Sequence, residues 1–246
     1  MAMHSLGETR SSLQRDHLLQ TPDTFVRTVL PGMRDGAAIV HVGPAAGAAF
    51  TQYTAELEAG GALGAASVQR FVYVIEGVAD IAGGAGLHTL TAGGYAFFPA
   101  ELEHTVTARE WARLAVIEKP YEPLAGVDAP EMMVGRESEA GSSALLGDED
   151  VQVRSLLPDA SGFDFAVNTM TYQPGAALGM VEVHVMEHGL LMLEGGGIYR
   201  LGERWYPVGT GDFIWVAPFC PQWFGALGKR AAKYLIYKDW NRHPLF

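Results

Sequence analysis

Cysteine, positive charge and long apolar runs are all scarce in this chain. Its one cysteine, Cys220, excludes an internal disulfide and suits a reducing compartment, so a cytoplasmic location is expected. Only 17 lysines and arginines stand against 28 aspartates and glutamates, a formal net charge of −11. Nucleic-acid binding needs clustered cations to neutralise phosphates, so that class of partner is set aside. No stretch of about 18 apolar residues occurs. The opening MAMHSLGETRSSLQRDHLLQ also lacks the apolar centre of a signal peptide, so neither membrane spanning nor secretion is expected. Helical periodicity is sparse too. What is abundant is glycine, 30 residues of 246, beside 48% hydrophobic residues, which suits a compact protein of short strands and tight turns.

The strands come twice. RFVYVIEG (Arg70 to Gly77), followed by AGGYAFFPAELEH (Ala92 to His104), matches HGLLMLEG (His188 to Gly195), followed by GTGDFIWVAPFCPQ (Gly209 to Gln222). A constant offset of 118 residues aligns Gly77 with Gly195, Gly93 with Gly211 and His104 with Gln222. An ungapped match of this kind implies a duplication, and the short runs rich in Val, Ile, Phe and Tyr imply an all-β chain of two packed barrels. The expected layout is an N-terminal arm 1–37, a first barrel 38–125, a turn-rich connection 126–149 and a second barrel 150–246.

Within the second copy Gly175 precedes Glu182, His184 and His188, with Gly195 seven residues beyond, and Gly211 leads to Gln222 eleven later. This spacing resembles the two motifs of the cupins, and the chain resembles a bicupin. Glu182, His184, His188 and Gln222 would supply a carboxylate, two imidazoles and an amide oxygen to one divalent metal. Glu182 and His184 lie two apart in VEVHV, so a strand would point both to one face. A helix is the rival, because His184 and His188 are spaced i, i+4; it would turn Glu182 away, and HVMEH lacks the glutamate that follows the first histidine of a metalloprotease helix. The bland alternative is a metal-free set of polar side chains at a barrel mouth. In the first copy the same offset puts Gly64, Ala66 and Arg70 where Glu182, His184 and His188 stand, leaving only His104. One metal per chain is therefore expected, with Arg70 a structural or pocket cation. An amide oxygen in place of a third imidazole disfavours zinc and copper and leans to manganese (Mn2+), with ferrous iron next.

The stretch KYLIYKDWNR reads as a strand whose alternation sets Tyr234, Ile236 and Lys238 on one face. An inward lysine needs an anion. Together with VEVHVMEHGLLMLEGGGIYRLGERWYPVGTGDFIWVAPFCPQWFGALGK, this stretch is similar to the C-terminal half of the (S)-ureidoglycine aminohydrolases, manganese bicupins of purine and allantoin breakdown formerly called glyoxylate-induced proteins. Similarity extends more weakly into LLQTPDTFVRTVLPGM and GYAFFPAELEHT. The resemblance implies Glu182, His184, His188 and Gln222 as manganese ligands and Tyr199, Tyr234 and Lys238 as pocket residues, with Lys238 either anchoring the substrate carboxylate or moving a proton. It further implies hydrolytic release of ammonia from (S)-ureidoglycine to give (S)-ureidoglycolate, and a homo-oligomer by analogy. Two other readings remain open: a redox bicupin of the oxalate decarboxylase or dioxygenase type, against which Gln222 speaks, and a non-catalytic bicupin that binds a sugar or small acid.

Overall fold

The computed structural model describes residues 8–84 and 86–242. The first seven residues of the expected arm, Ala85 and the last four residues lie outside the described residues. The all-β, two-barrel architecture expected from the repeat is the one observed. The first half forms a ten-stranded antiparallel sheet held together by the long strand Thr51–Leu63, which pairs with Met33–Val42, His104–Ala108 and Ala112–Lys119. In the second half an eight-stranded sheet contains Phe165–Tyr172, Ala232–Asp239, His188–Glu194 and Phe213–Val216 as neighbours, and a three-stranded sheet contains Arg204–Gly209, Gly196–Leu201 and Gln222–Ala226. Among the described residues no helix is long and apolar enough to cross a membrane.

The unbroken apolar runs LLML and YLIY follow from a sheet covered on both faces. Leu190, Met192, Tyr234 and Ile236 turn into the second barrel, whereas Leu191, Leu235 and Tyr237 join Phe71, Phe97 and Phe165 in a core between the barrels. The three phenylalanines are fully buried, each contributing roughly 1.5–3 kcal/mol. Both copies need a glycine at the end of the equivalent strand. Gly77 and Gly195 have φ of 84° and 64°, and a Cβ would collide with the carbonyl of Trp111 in one case and of Ala231 in the other.

The segments outside the repeats tie the halves together. His17–Gln20 pairs with Phe213–Val216 of the second barrel, while Arg27–Thr28 and Met33–Val42 belong to the sheet of the first. Arg10 fastens the arm by a two-pronged bond to the buried Asp212, at 2.6 and 2.9 Å. Between the barrels, Met133–Arg136 pairs with Gly94–Phe98 on one side and Ser142–Leu145 with Asp148–Ser155 on the other.

Candidate metal centre

The segment VEVHV is not the regular strand that its alternation predicts, and the chain bends at Val185. Only Glu182 pairs, exchanging backbone bonds with Gln222 at 2.8 and 2.9 Å. No second partner flanks the segment among the described residues, so the ladder stops after one bridge. The alternation itself survives with the polar residues inward: Val181 and Val183 are 39% and 56% exposed, and Glu182 and His184 face the cavity. The His184 carbonyl accepts the Phe219 N–H at 2.6 Å, which ties this segment to the turn before Gln222. His188 opens the strand His188–Glu194 and lies directly across from Lys238. No helix forms, so the HVMEH helix is excluded.

Glu182, His184, His188 and Gln222 line one cavity of about 130 Å3, and Tyr199, Tyr234 and Lys238 line it with them. Glu182 Oε2 lies 3.0 Å from His184 Nε2, and the two histidine rings are 5.2 Å apart. His188 is buried and its Nδ1 has no hydrogen-bond partner among the described residues. Burial first, then His184 and Lys238, pushes its imidazole down to about 3, which keeps it in the neutral, lone-pair-donating form. A carboxylate, two imidazoles and an amide converging around an orphaned buried nitrogen fit a divalent ion. Burial likewise lowers the pKa of Lys238, against the attraction of Glu182 and Asp159; its ammonium stands 5.4 Å from the Trp240 ring centre.

Both tyrosines line the cavity, as expected of pocket residues, but their hydroxyls have different partners. Tyr199, on Gly196–Leu201, is almost inaccessible and donates its hydroxyl to Gln222 Oε1 at 2.8 Å. Tyr234 shares a 2.8 Å hydrogen bond with Tyr172 and donates to the Met170 sulfur at 3.3 Å. Burial raises the phenol pKa of Tyr172, Tyr199 and Tyr234, so all three stay protonated. The sequence did not single out Tyr172 or Met170. The signal was alternation along FAVNTMTY, which puts both on the face opposite Thr169 and Thr171.

In the first barrel Arg70 holds the place of His188, and Glu118 lies across from it as Lys238 lies across from His188. The guanidinium donates to Glu118 at 2.8 Å and to the Gly64 carbonyl at 2.6 Å, and sits 3.0 Å from His104 Nε2. A resident cation neutralised by its own carboxylate thus fills the space that the second barrel leaves to four donors. A further cluster could also hold an ion: one donor atom each of Asp16, His17 and Cys220 lies within 4.8 Å of the others. There both ring nitrogens of His17 are engaged, by Asp16 and by Tyr206, each at 2.8 Å. Burial pushes the Cys220 thiol up to about 11.

The Cupin domain family model matches residues 168–237, and the EutQ-like cupin domain model matches residues 44–121. The chain is 41% identical over 242 residues to the (S)-ureidoglycine aminohydrolase of Arabidopsis thaliana, covering 97% of this chain and 80% of that protein. With the (S)-ureidoglycine aminohydrolase of Escherichia coli (strain K12) the identity is 32% over 231 residues, 91% of this chain and 88% of that one. The crystal structure of the protein Ylba from E. coli superposes with a TM-score of 0.86 at 28% identity over 98% of both chains. Similarity that spans both barrels, the arm and the connection leaves no part of the fold to a different origin, and the chain belongs to the (S)-ureidoglycine aminohydrolase family.

Proposed function

We propose that this protein releases ammonia hydrolytically from (S)-ureidoglycine, giving (S)-ureidoglycolate, with one manganese ion held by Glu182, His184, His188 and Gln222. The observation that carries this reading is the half-buried Lys238 amine, without a carboxylate partner among the described residues, facing four convergent donors across one small cavity. A substrate with a carboxylate supplies the missing anion. The carboxylate and amide oxygens in the donor set favour manganese, with ferrous iron next. When bound, the ion supplies Lewis acidity and a fixed point for substrate oxygens.

The residues of the chain do the rest. The reacting carbon of ureidoglycine carries two nitrogens and a carboxylate, so it is labile and needs orientation more than force. Water adds its hydroxyl to that carbon, the amino group leaves, and the second proton of water goes with it as ammonia. Lys238, a half-buried cation with no carboxylate partner among the described residues, binds the substrate carboxylate. Tyr234, fixed by Tyr172 and Met170, forms part of the cavity wall against the ureido end. A cytoplasmic location accords with the single cysteine. A homo-oligomer accords with Met180, Val183 and Phe219, which are 64%, 56% and 56% exposed around the mouth.

The test is ammonia release from freshly prepared (S)-ureidoglycine by chelator-treated protein with and without added manganese. Release that returns with manganese is expected, and Lys238→Ala is expected to raise KM with the metal still bound while Lys238→Arg keeps part of the activity. No release from the manganese-loaded native protein would overturn the proposal.

A further inference from the structure

Among the described residues, four half-buried cations have no carboxylate oxygen within 4.0 Å: Arg136, Arg154, Lys238 and Arg242. Lys238 belongs to the metal cavity. Arg242 is held by the carbonyls of Glu122, Ser161 and Asn241 at 2.8–3.0 Å. The remaining two line a second cavity, about 510 Å3, in the cleft where the connection meets both barrels. In a chain of net charge −11, two guanidiniums left without an acid in the same cleft call for an anion from outside.

Each arginine is anchored by one nitrogen only. Arg136 Nη1 donates to Thr91 Oγ1 at 2.9 Å, and Arg154 Nη1 donates to the Ala140 carbonyl at 2.6 Å. No other nitrogen of either guanidinium meets a protein acceptor among the described residues, so both forks keep donors to spare. The acids of the cleft are committed elsewhere. Glu137 is buried and accepts from Thr169 at 2.9 Å, from Lys233 at 2.7 Å and from Tyr73, while Glu194 lies 3.9 Å from Lys233. Lys233 is therefore neutralised within the protein, and the arginines are not. Ile75 from the first barrel and Leu193 from the second give the cleft an apolar wall.

We propose that this cleft binds a small organic oxyanion, one bearing a phosphate or two carboxylates, with Arg136 and Arg154 on the anionic oxygens and Ile75 and Leu193 against the carbon frame. Planar guanidiniums with free, parallel donors are matched to such oxygens. The volume suits a metabolite-sized ligand better than a bare ion. The site is separate from the metal cavity and independent of the reaction proposed there. It touches both barrels, so a ligand would add to their joint stability by mass action.

Calorimetric titration and thermal melting of the manganese-loaded protein with AMP, inorganic phosphate and succinate, against sodium chloride at matched ionic strength, test the proposal and separate the phosphate from the carboxylate arm. Saturable binding with one site per chain and a raised melting temperature are expected in at least one arm. In Arg136→Gln/Arg154→Gln the affinity is expected to fall more than about tenfold, with manganese content and far-UV circular dichroism unchanged. If that variant misfolds, Arg136→Lys and Arg154→Lys, which keep the charge and lose the fork, are expected to weaken binding singly. The proposal is overturned by an absence of saturable binding for every probe, by a melting shift that sodium chloride reproduces, or by affinity that survives in these variants.

Discussion

A hydroxyl committed to a metal donor does different work from one that waits for substrate. Tyr199 is 1% exposed, and its protonated phenol donates to Gln222 Oε1 at 2.8 Å. That bond fixes the amide and leaves the oxygen a second lone pair for the proposed ion. Tyr199→Phe is therefore expected to keep the fold and to lower manganese affinity about tenfold to a hundredfold, measured by titration of the chelated protein. Unchanged affinity with a raised KM would return Tyr199 to direct substrate contact. The sequence picked out this tyrosine only through a family resemblance and could not give the direction of its hydroxyl, because the partner comes from a neighbouring strand, Leu201 pairing with Gln222. The spacing singled out Glu182, His184 and His188, which line one cavity although the chain bends at Val185 and Met186 between the two histidines.

At the scale of elements, the strand expected over VEVHV shortened to a single bridge because strand propensity cannot create a missing partner. The turn that follows holds a residue with no sequence signal. Glu187 accepts the Ala49 N–H from the first half at 2.8 Å and the Trp215 indole N–H at 2.9 Å, pinning the root of the His188–Glu194 strand to the opposite barrel. Burial pushes its carboxyl from the ordinary 4.5 up to about 7, against the Trp215 hydrogen bond. Below 4.5 this side chain is protonated whether the chain is folded or not. Between 4.5 and about 7 the unfolded chain releases the proton that the folded one keeps, so this group's contribution falls as pH rises through that window. His41 and His188, both pushed down to about 3, act in the opposite sense between there and 6.5. The quantity to follow is thus the difference in melting temperature between the metal-free wild type and Glu187→Gln at each pH. That difference is expected to move in favour of the variant as pH rises from about 4.5 to about 7; a constant offset would show that the carboxyl titrates normally in the folded protein.

For the whole molecule, the duplication was legible because turn glycines such as Gly77 and Gly195 answer to backbone geometry and outlast the chemistry of the site. The strapping of the arm across both barrels was not legible, since pairing of His17–Gln20 with Phe213–Val216 joins residues about 200 positions apart. The same duplication bears on the proposed metal count. In the first barrel the Arg70 guanidinium already meets Glu118, the Gly64 carbonyl and His104, so an ion would have to displace a buried cation from its carboxylate. In the second barrel the donors have no such occupant among the described residues, and His188 Nδ1 is left without a partner. Elemental analysis of manganese-saturated, dialysed protein is therefore expected to give one ion per chain, and none in Glu182→Ala/His184→Ala with the far-UV circular dichroism preserved. An ion retained by that double variant would refute the second-barrel assignment. Cys220→Ser, which removes a donor from the cluster with Asp16 and His17, would then tell whether the ion had been there instead.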